Sequence, residues 1–578
     1  MFRGGPAHLG VYDAPLGTAL AGLQWRFDTQ GGVIGSPAIR GDTVWVGSGD
    51  GRVYALALSS GALLWSFNLT TPIASSPAVA GDVVVIGARD GRFNGLNART
   101  GEPLWSVETG TDLPLPWGHE SGDRFTSSPA IVNDLAVVAA GDGVVRALEW
   151  RTGRERWHTE TGTRLRSSPA VADGRVFIGG VDGRLYAFDL ASGTRLWAFA
   201  TEGATLQSEH YGFDRRTIQS SPAVQRGTVY VGARDGFLYA VSADSGVLRW
   251  RFDHQISWII SSPAVADDVV YAGSSDGQFI QAVDAETGVE RWRRPTGSIV
   301  WSSPAIVGQQ LLVGDGRGRV LALDRMTGDP RWEFFTGGQV FSSPVPAGRQ
   351  VVFGSVDGGV YALCTGDPVT LERAVYPGRG GTPADSVAGL VTAALQVRGY
   401  QVLDDQKLIA VLTAAVADGR LATVVFASDD LPPEIVTEPV EQSLFRRFLD
   451  AGGKAVWTSI PPLLWPRDST GQRRRGLAGL TWDRPAQLLG VSHAAAIFDR
   501  RSAEPTDAGR RWGLSGRWRD GWGIDPRAVT EVLAKDDWGL AAAWVRHFGG
   551  PAGTGFVRVS AHDPLQVYLA AEYRPACQ

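Results

Sequence analysis

Cysteine and methionine are nearly absent from this 578-residue chain, two of each, and the scarcity of thiols closes off several chemistries. Cys364 and Cys577 are the only cysteines, so there is no adjacent cysteine pair, no Cys-x-x-Cys-His haem attachment and no thiolate-rich metal cluster. The two can pair, but separation in sequence says nothing about geometry. A chain this long does not need a covalent staple, and they are expected to remain unpaired. No run of 18 apolar residues occurs, which excludes a membrane-spanning helix. Nor does a basic region followed by an apolar core open the chain, so no signal peptide is visible; a trimmed or internal start and a cytoplasmic protein both stay open. Excess positive charge is lacking too: 55 Lys and Arg face 60 Asp and Glu, for a net charge of −5. With no basic stripe to neutralise phosphates, a nucleic-acid partner is not expected.

What the chain has in abundance is repetition. Ser-Pro followed by a small apolar residue occurs at Pro37, Pro77, Pro129, Pro169, Pro222, Pro263, Pro304 and Pro344, separated by 40, 52, 40, 53, 41, 41 and 40 residues. Such a period belongs to arrays whose units cannot bury their apolar faces alone. Within Ser168 to Phe199, four β-rich runs are joined by Asp173-Gly174, Asp182-Gly183 and Ser192-Gly193, residues that accept the positive φ of tight hairpins. Each unit therefore reads as a four-stranded antiparallel blade. Proline has no amide proton, so its place at the first run fits an innermost strand facing a central channel.

A second signature closes each unit. Trp65, Trp105, Trp157, Trp197, Trp250, Trp292 and Trp332 each follow a glycine by four positions, and they are expected to pack between blades. The eighth unit lacks its own, and Trp25, ahead of the first Ser-Pro, supplies it. The start of the chain then completes the last blade and removes the open sheet edges. The expected organisation is an N-terminal extension at 1–22, an all-β eight-bladed propeller at 23–366 and an α/β domain at 367–578.

The units Tyr186-Ala187-Phe188-Asp189 through Trp197, and Ala282 to Gly288 through Trp292, resemble the repeat of pyrroloquinoline-quinone enzymes and their non-enzymatic relatives, including the outer-membrane assembly lipoprotein BamB. Met1 to His8 resembles the segment that opens many secreted members. The likeness covers about residues 1 to 366 and implies the propeller fold; it also implies export to the periplasm or outside the cell. Enzymes of this group stack the quinone against a disulfide of adjacent cysteines, over calcium or a lanthanide and an aspartate base. This chain lacks the adjacent cysteines, and its Asp-Gly pairs are accounted for by hairpin turns. No bound cofactor is expected, with the quinone plus calcium as the alternative.

Two of the spacings are a dozen residues longer, and both extra segments lie between a terminal tryptophan and the next Ser-Pro, hence on one face of the disc. His119-Glu120-Ser121-Gly122-Asp123-Arg124 and His210-Tyr211-Gly212-Phe213-Asp214-Arg215 both read His-x-x-x-Asp-Arg. Long loops on a rigid scaffold are the usual carriers of binding groups. Trp117, His119, Glu120, Asp123, Arg124, His210, Tyr211, Asp214 and Arg215 are accordingly the candidate ligand residues, able to hold an anion or a polar partner. The alternative is that Asp and Arg pair locally to order each loop; the metal question stays open.

After Gly366 the pattern changes to alternating strands and helices: strand at Ala374–Tyr376, helix at Val387–Leu395, strand at Tyr400–Leu403, helix at Ile409–Val416, strand at Thr423–Ala427, helix at Gln442–Leu449 and strand at Lys454–Thr458. That alternation predicts a parallel, flavodoxin-like sheet covered on both faces. The stretch Leu540 to Val559 is similar to class I glutamine-amidotransferase-like domains of the trehalose-utilisation type, whose catalytic members use a cysteine with a histidine partner. No cysteine lies in the predicted sheet, so Ser428, Ser459, His493, His547 and His562 are read as structural and no catalytic residue is assigned. A weaker candidate is an anion cradle formed by Gly378, Gly380, Gly381 and Ser386 at the start of the first helix. The function expected of the whole is binding or scaffolding of a protein, glycan or small polar ligand, with a quinone-dependent alcohol or sugar oxidoreductase as the alternative.

Overall fold

A computed structural model describes residues 2–115, 127–207, 210–255, 257–366, 371–379, 384–428, 430–459, 483–489, 491, 497–548, 550–560 and 562–575. It comprises two compact units, residues 1–18 with 29–362 and residues 19–28 with 363–578.

Eight four-stranded antiparallel sheets make the propeller, as the Ser-Pro period predicts. The fourth is typical: Ala170–Ala172, Arg175–Gly179, Arg184–Asp189 and Arg195–Ala200 follow one another as a meander. Its Asp173-Gly174 turn takes φ of +48° and +72°, the left-handed pair that a two-residue hairpin needs. In the eighth sheet the order is Ala19–Asp28, Gly359–Gly366, Gln350–Gly354, Val345–Ala347, so its outermost strand comes from the beginning of the chain. Trp25 in that strand is fully buried.

The recurring punctuation of the repeat has a physical explanation in each case. The serine before each proline accepts the amide of its counterpart in the preceding blade: Ser36 N to Ser76 Oγ, then Ser128, Ser168, Ser221, Ser262, Ser303, Ser343 and back to Ser36. Eight bonds of 2.9 to 3.2 Å close a ring around the channel. The tryptophans join blades further out. Trp65, Trp105, Trp157, Trp197, Trp250 and Trp292 each donate Nε1 to a carbonyl of the next blade at 2.8 to 3.1 Å. Each ring lies on the next blade's turn glycine, where a Cβ would come within 2.5 to 2.8 Å of it. Trp332, whose neighbour blade has no such turn, donates to Gln310 Oε1 at 3.2 Å instead.

The second unit is built on a nine-stranded sheet ordered Gln401–Val402, Glu372–Tyr376, Ala422–Phe426, Lys454–Trp457, Gly555–Arg558, Ala541–Arg546, Glu531–Asp536, Ile497–Pro505, Trp518–Gly523. The first five are parallel and, counted along the chain, run 2-1-3-4-5. Helices Val387–Gln396, Asp405–Asp418 and Leu444–Asp450 lie between them in sequence, as the alternating pattern predicts. The expectation of an all-parallel sheet is corrected by the other four strands, which pair antiparallel. The reason is connection length: Asp536 N bonds Leu540 O at 2.9 Å across a turn, far too short for the crossover that parallel pairing requires. Phe426, Trp457 and Phe556 stack across the parallel strands at 5.0 and 5.8 Å and centre the core.

The cysteine expectation is also corrected. Cys364 is fully buried and disulfide-bonded; the chain's other cysteine, Cys577, lies outside the described residues. Among the described residues no helix is long and apolar enough to cross a membrane.

Candidate functional site

Antiparallel meanders put the turn between the second and third strands of each blade on the same face as the connection to the next blade. Backbone bonds lock the two together: Ile218 N to Gly180 O, Ile259 N to Ala233 O, Val300 N to Ser274 O and Val340 N to Asp315 O, all 3.0 to 3.2 Å. Two residues ahead of each ring serine, one step toward this face, stand Ile34, Ala74, Arg166, Gln219, Ile260, Trp301 and Phe341; the third-blade equivalent, Thr126, lies outside the described residues. Trp301 stacks on Phe341 at 4.9 Å, so consecutive positions touch. The mouth is thus mostly apolar, interrupted by Arg166 and Gln219 on the fourth and fifth blades.

The turn aspartates are used by the scaffold. Asp50, Asp182, Asp235 and Asp357 each accept the hydroxyl of a tyrosine four residues on, Tyr54, Tyr186, Tyr239 and Tyr361, at 2.6 to 2.7 Å. In the third blade, burial would raise the Asp142 carboxyl, but Arg146 and the amides of Gly110 and Val144 bring it below the usual value. Asp235 is instead raised, by burial. Among the described residues no group of three or more His, Cys, Asp or Glu side chains is placed to hold a metal ion.

The fifth-blade insertion is a compact polar and aromatic knot. Asp214, with no exposed surface, accepts the Arg216 amide at 2.9 Å and faces Arg234 at 3.6 Å. Arg234 donates to Gln219 Oε1 at 3.0 Å and lies over Trp258, 4.3 Å from the ring centroid. Phe213 meets Trp258 edge-on at 5.5 Å. Arg215 donates to the Asp235 carbonyl and lies over Tyr211 at 4.9 Å. Tyr211 is 43% exposed, and His210 is exposed beside it. Of the candidate residues, then, His210 and Tyr211 face solvent while Asp214 and Arg215 order the loop from within. Trp117, His119, Glu120, Asp123 and Arg124 lie outside the described residues, and so does the distance between the two histidine loops.

Gln219, Arg234, Trp258, Trp301 and Phe341 escaped the sequence reading. A signal for them exists: aligned repeat on repeat, the residue ahead of each turn Asp-Gly and those just ahead of Ser-Ser-Pro change from blade to blade while their neighbours repeat. Variation inside a repeat marks positions that the scaffold does not dictate.

In the second unit the strand order reverses between Glu372–Tyr376 and Ala422–Phe426, where open α/β sheets place a ligand crevice at the strands' carboxyl ends. A cleft of about 640 Å³ opens next to that point, at the carboxyl ends of Glu372–Tyr376 and Gln401–Val402, lined by Pro377, Gly378 and Val402 to Lys407. Gly378, at φ +107°, lets the backbone pass Ser428, whose Oγ a Cβ would meet at 2.8 Å. Ser386 accepts the Gly389 amide as helix cap at 3.0 Å, and Asp404 accepts that of Lys407 at 2.8 Å. Gly380 and Gly381 lie outside the described residues. His547 Nδ1 is 3.0 Å from the Thr554 carbonyl. His562 stacks on Trp518 at 4.9 Å and is lowered by burial; His493 lies outside the described residues.

The family model described as outer membrane protein assembly factor BamB matches residues 8–116, 115–210, 205–363 and 280–422. A model described only as the MJECL34 family matches residues 382–567. Among curated proteins, quinohemoprotein alcohol dehydrogenase ADH-IIG of Pseudomonas putida is 38% identical over 86 residues, 13% of this chain and 12% of that one. The match to ADH IIB of the same organism is 29% over 116 residues, 18% and 17%. The chain thus spans less than a fifth of the length of the curated relatives it matches. The solved ADHIIG structure from Pseudomonas putida HK5 aligns with TM-score 0.53 at 15% identity, covering 68% of this chain and 84% of that one. BamB from Moraxella catarrhalis aligns with TM-score 0.48 at 23% identity, covering 59% and 97%.

Proposed function

This chain belongs to the family described as outer membrane protein assembly factor BamB, and we propose that it is a non-catalytic binding protein. Its ligand surface is the insertion-bearing face of the propeller. The observation that carries this reading is the asymmetric mouth: Arg166, Gln219 and the Arg234–Trp258 pair on one side, Trp301, Phe341 and Ile34 on the other, with Tyr211 exposed at the rim. Aromatic faces beside donors suit an extended protein segment or a glycan. A protein partner is the first choice, as in outer-membrane assembly. The disulfide at Cys364 supports an oxidising compartment, periplasmic or extracellular.

The quinone-dependent reading draws on the similarity to the alcohol dehydrogenases, but the described residues fit that group poorly. Arg234 already lies over one face of Trp258, Asp214 is buried in the loop's own bonds, and the turn aspartates are engaged by tyrosines. The second unit is proposed to be a degenerate amidotransferase-like, flavodoxin-like domain, with Gly378, Gly380, Gly381 and Ser386 as its anion-cradle residues. Screening the purified protein on peptide and glycan arrays tests the main reading. Tyr211→Ala and Trp301→Ala should each weaken the strongest hit by about tenfold or more, in line with aromatic anchors at an interface. Hits that both variants retain at full strength overturn the assignment to this face.

A further inference from the structure

The channel below the serine ring is filled by the chain's own opening segment. The carbonyls of Pro6, Ala7, Leu9 and Gly10 accept the amides of Val171, Val224, Val265 and Ile306 at 2.7 to 2.9 Å. Those amides belong to the innermost strands of the fourth to seventh blades, whose channel-facing edges are otherwise open. Arg3 donates to the carbonyls of Pro263 and Pro304, and Tyr12 N donates to Ile306 O at 2.8 Å as the segment leaves. Gly10 is required by this route, because a Cβ there would meet the Arg3 guanidinium at 2.7 Å.

The seat is a strained and electrostatically poor one. Arg3 and His8 are both in left-handed backbone, φ +58° and +56°, unusual for residues other than glycine. Arg3 is 2% exposed and His8 not at all. Among the described residues Arg3 makes no ion pair, its Nε has no hydrogen-bond partner, and neither does either His8 ring nitrogen. Phe2 packs on the imidazole edge-on at 5.2 Å. Among the described residues, Arg3 is the one charged side chain acting on His8; the Pro222 backbone carbonyl, short of an ordinary hydrogen bond to the ring, favours the charged form in part.

We propose that the segment Phe2–Tyr12 is an acid-released plug of the propeller channel, with His8 as its trigger. A neutral imidazole fits between Phe2 and Arg3; an imidazolium there is a second buried cation without a counter-ion. Burial and Arg3 lower seated His8 to about 3, whereas a released histidine titrates near 6.5. The released form therefore takes up the extra proton. Seating is at full strength above about pH 6.5 and weakens as pH falls from there toward 3, by about 25-fold between pH 7 and pH 5.

Hydrogen exchange of the Val171, Val224, Val265 and Ile306 amides reads the plug directly. After correction for intrinsic exchange, their protection should fall about 25-fold from pH 7 to pH 5, while strand-paired amides of the same blades hold theirs. In His8→Gln the four amides should stay protected at both values. A fall of less than about threefold in the wild type overturns the proposal, as does an equal fall in His8→Gln. So does exchange of the four amides only together with their whole blades. Deletion of residues 2–12 supplies the open reference; if that variant does not fold, the comparison with His8→Gln still decides.

Discussion

Gly174 and Gly288 share a backbone angle of +72° but not surroundings, and this makes the blade-to-blade contact measurable. Around Gly174 a Cβ would meet nothing within 4 Å; at Gly288 it would lie 2.7 Å from Cδ2 of Trp250 in the preceding blade. Gly174→Ala should therefore cost only the left-handed penalty, about 1 to 2 kcal/mol, offset in part by the smaller entropy of the unfolded chain. Gly288→Ala adds overpacking against the indole, a further ~1 to 3 kcal/mol. Trp250→Ala removes a ring that is 9% exposed and its bond to the Ala285 carbonyl at 2.9 Å, for about 3 to 5 kcal/mol. In the double variant the clash has no partner, so the two costs should fall short of additivity by ~1 to 3 kcal/mol. Urea denaturation followed by far-ultraviolet circular dichroism measures all four. Equal costs for the two glycine changes, or an additive cycle, would refute the claim that the glycine is there to seat the tryptophan.

Three further outcomes are expected. Ser168→Ala removes the acceptor of the Ser128 amide and should cost about 1 to 3 kcal/mol, with faster hydrogen exchange at Ser128; unchanged exchange there denies the ring any structural role. Burial would raise Glu572, but Arg373 and the Tyr400 hydroxyl hold it below the usual 4.5. Its stabilisation is therefore present above about pH 4.5 and lost as pH falls below it. Glu572→Gln should cost ~3 to 5 kcal/mol at pH 7 by leaving Arg373 unpaired and flatten the acid limb of melting temperature against pH; an unaltered limb contradicts this. Reduction with a phosphine should destabilise the second unit by about 2 to 4 kcal/mol, with Cys364→Ser reproducing the loss; a melting curve indifferent to reductant contradicts the disulfide's role.

The blade count was legible because each blade repeats the same local solution: a serine for the ring, a tryptophan for the next blade's glycine, Asp-Gly for the hairpin. What the sequence hid is long-range and occurs once. Nothing periodic marks Phe2 to Gly10 as a channel filling, since its partners are single amides spread over four blades, from Val171 to Ile306. The Ser-Pro motif was read for its proline, and the hydroxyl ring emerged only when eight copies were brought into a circle. Strands at 531–546 carry no helix between them to signal pairing, so their antiparallel arrangement went unread. At the candidate site, Tyr211 and Arg215 stood out because an inserted loop lengthens the spacing. Arg234 and Trp258 did not, because they occupy ordinary repeat positions and differ only in side chain.

The central claim, that the propeller face binds without catalysing quinone chemistry, is tested most directly by titrating the purified protein with pyrroloquinoline quinone plus calcium. The absorbance of the quinone is followed, and the mixture is then assayed for dye-linked oxidation of alcohols and sugars. The account predicts no stoichiometric binding and no substrate-dependent dye reduction. Saturation at one quinone per chain, with turnover abolished by Trp258→Ala, would contradict it.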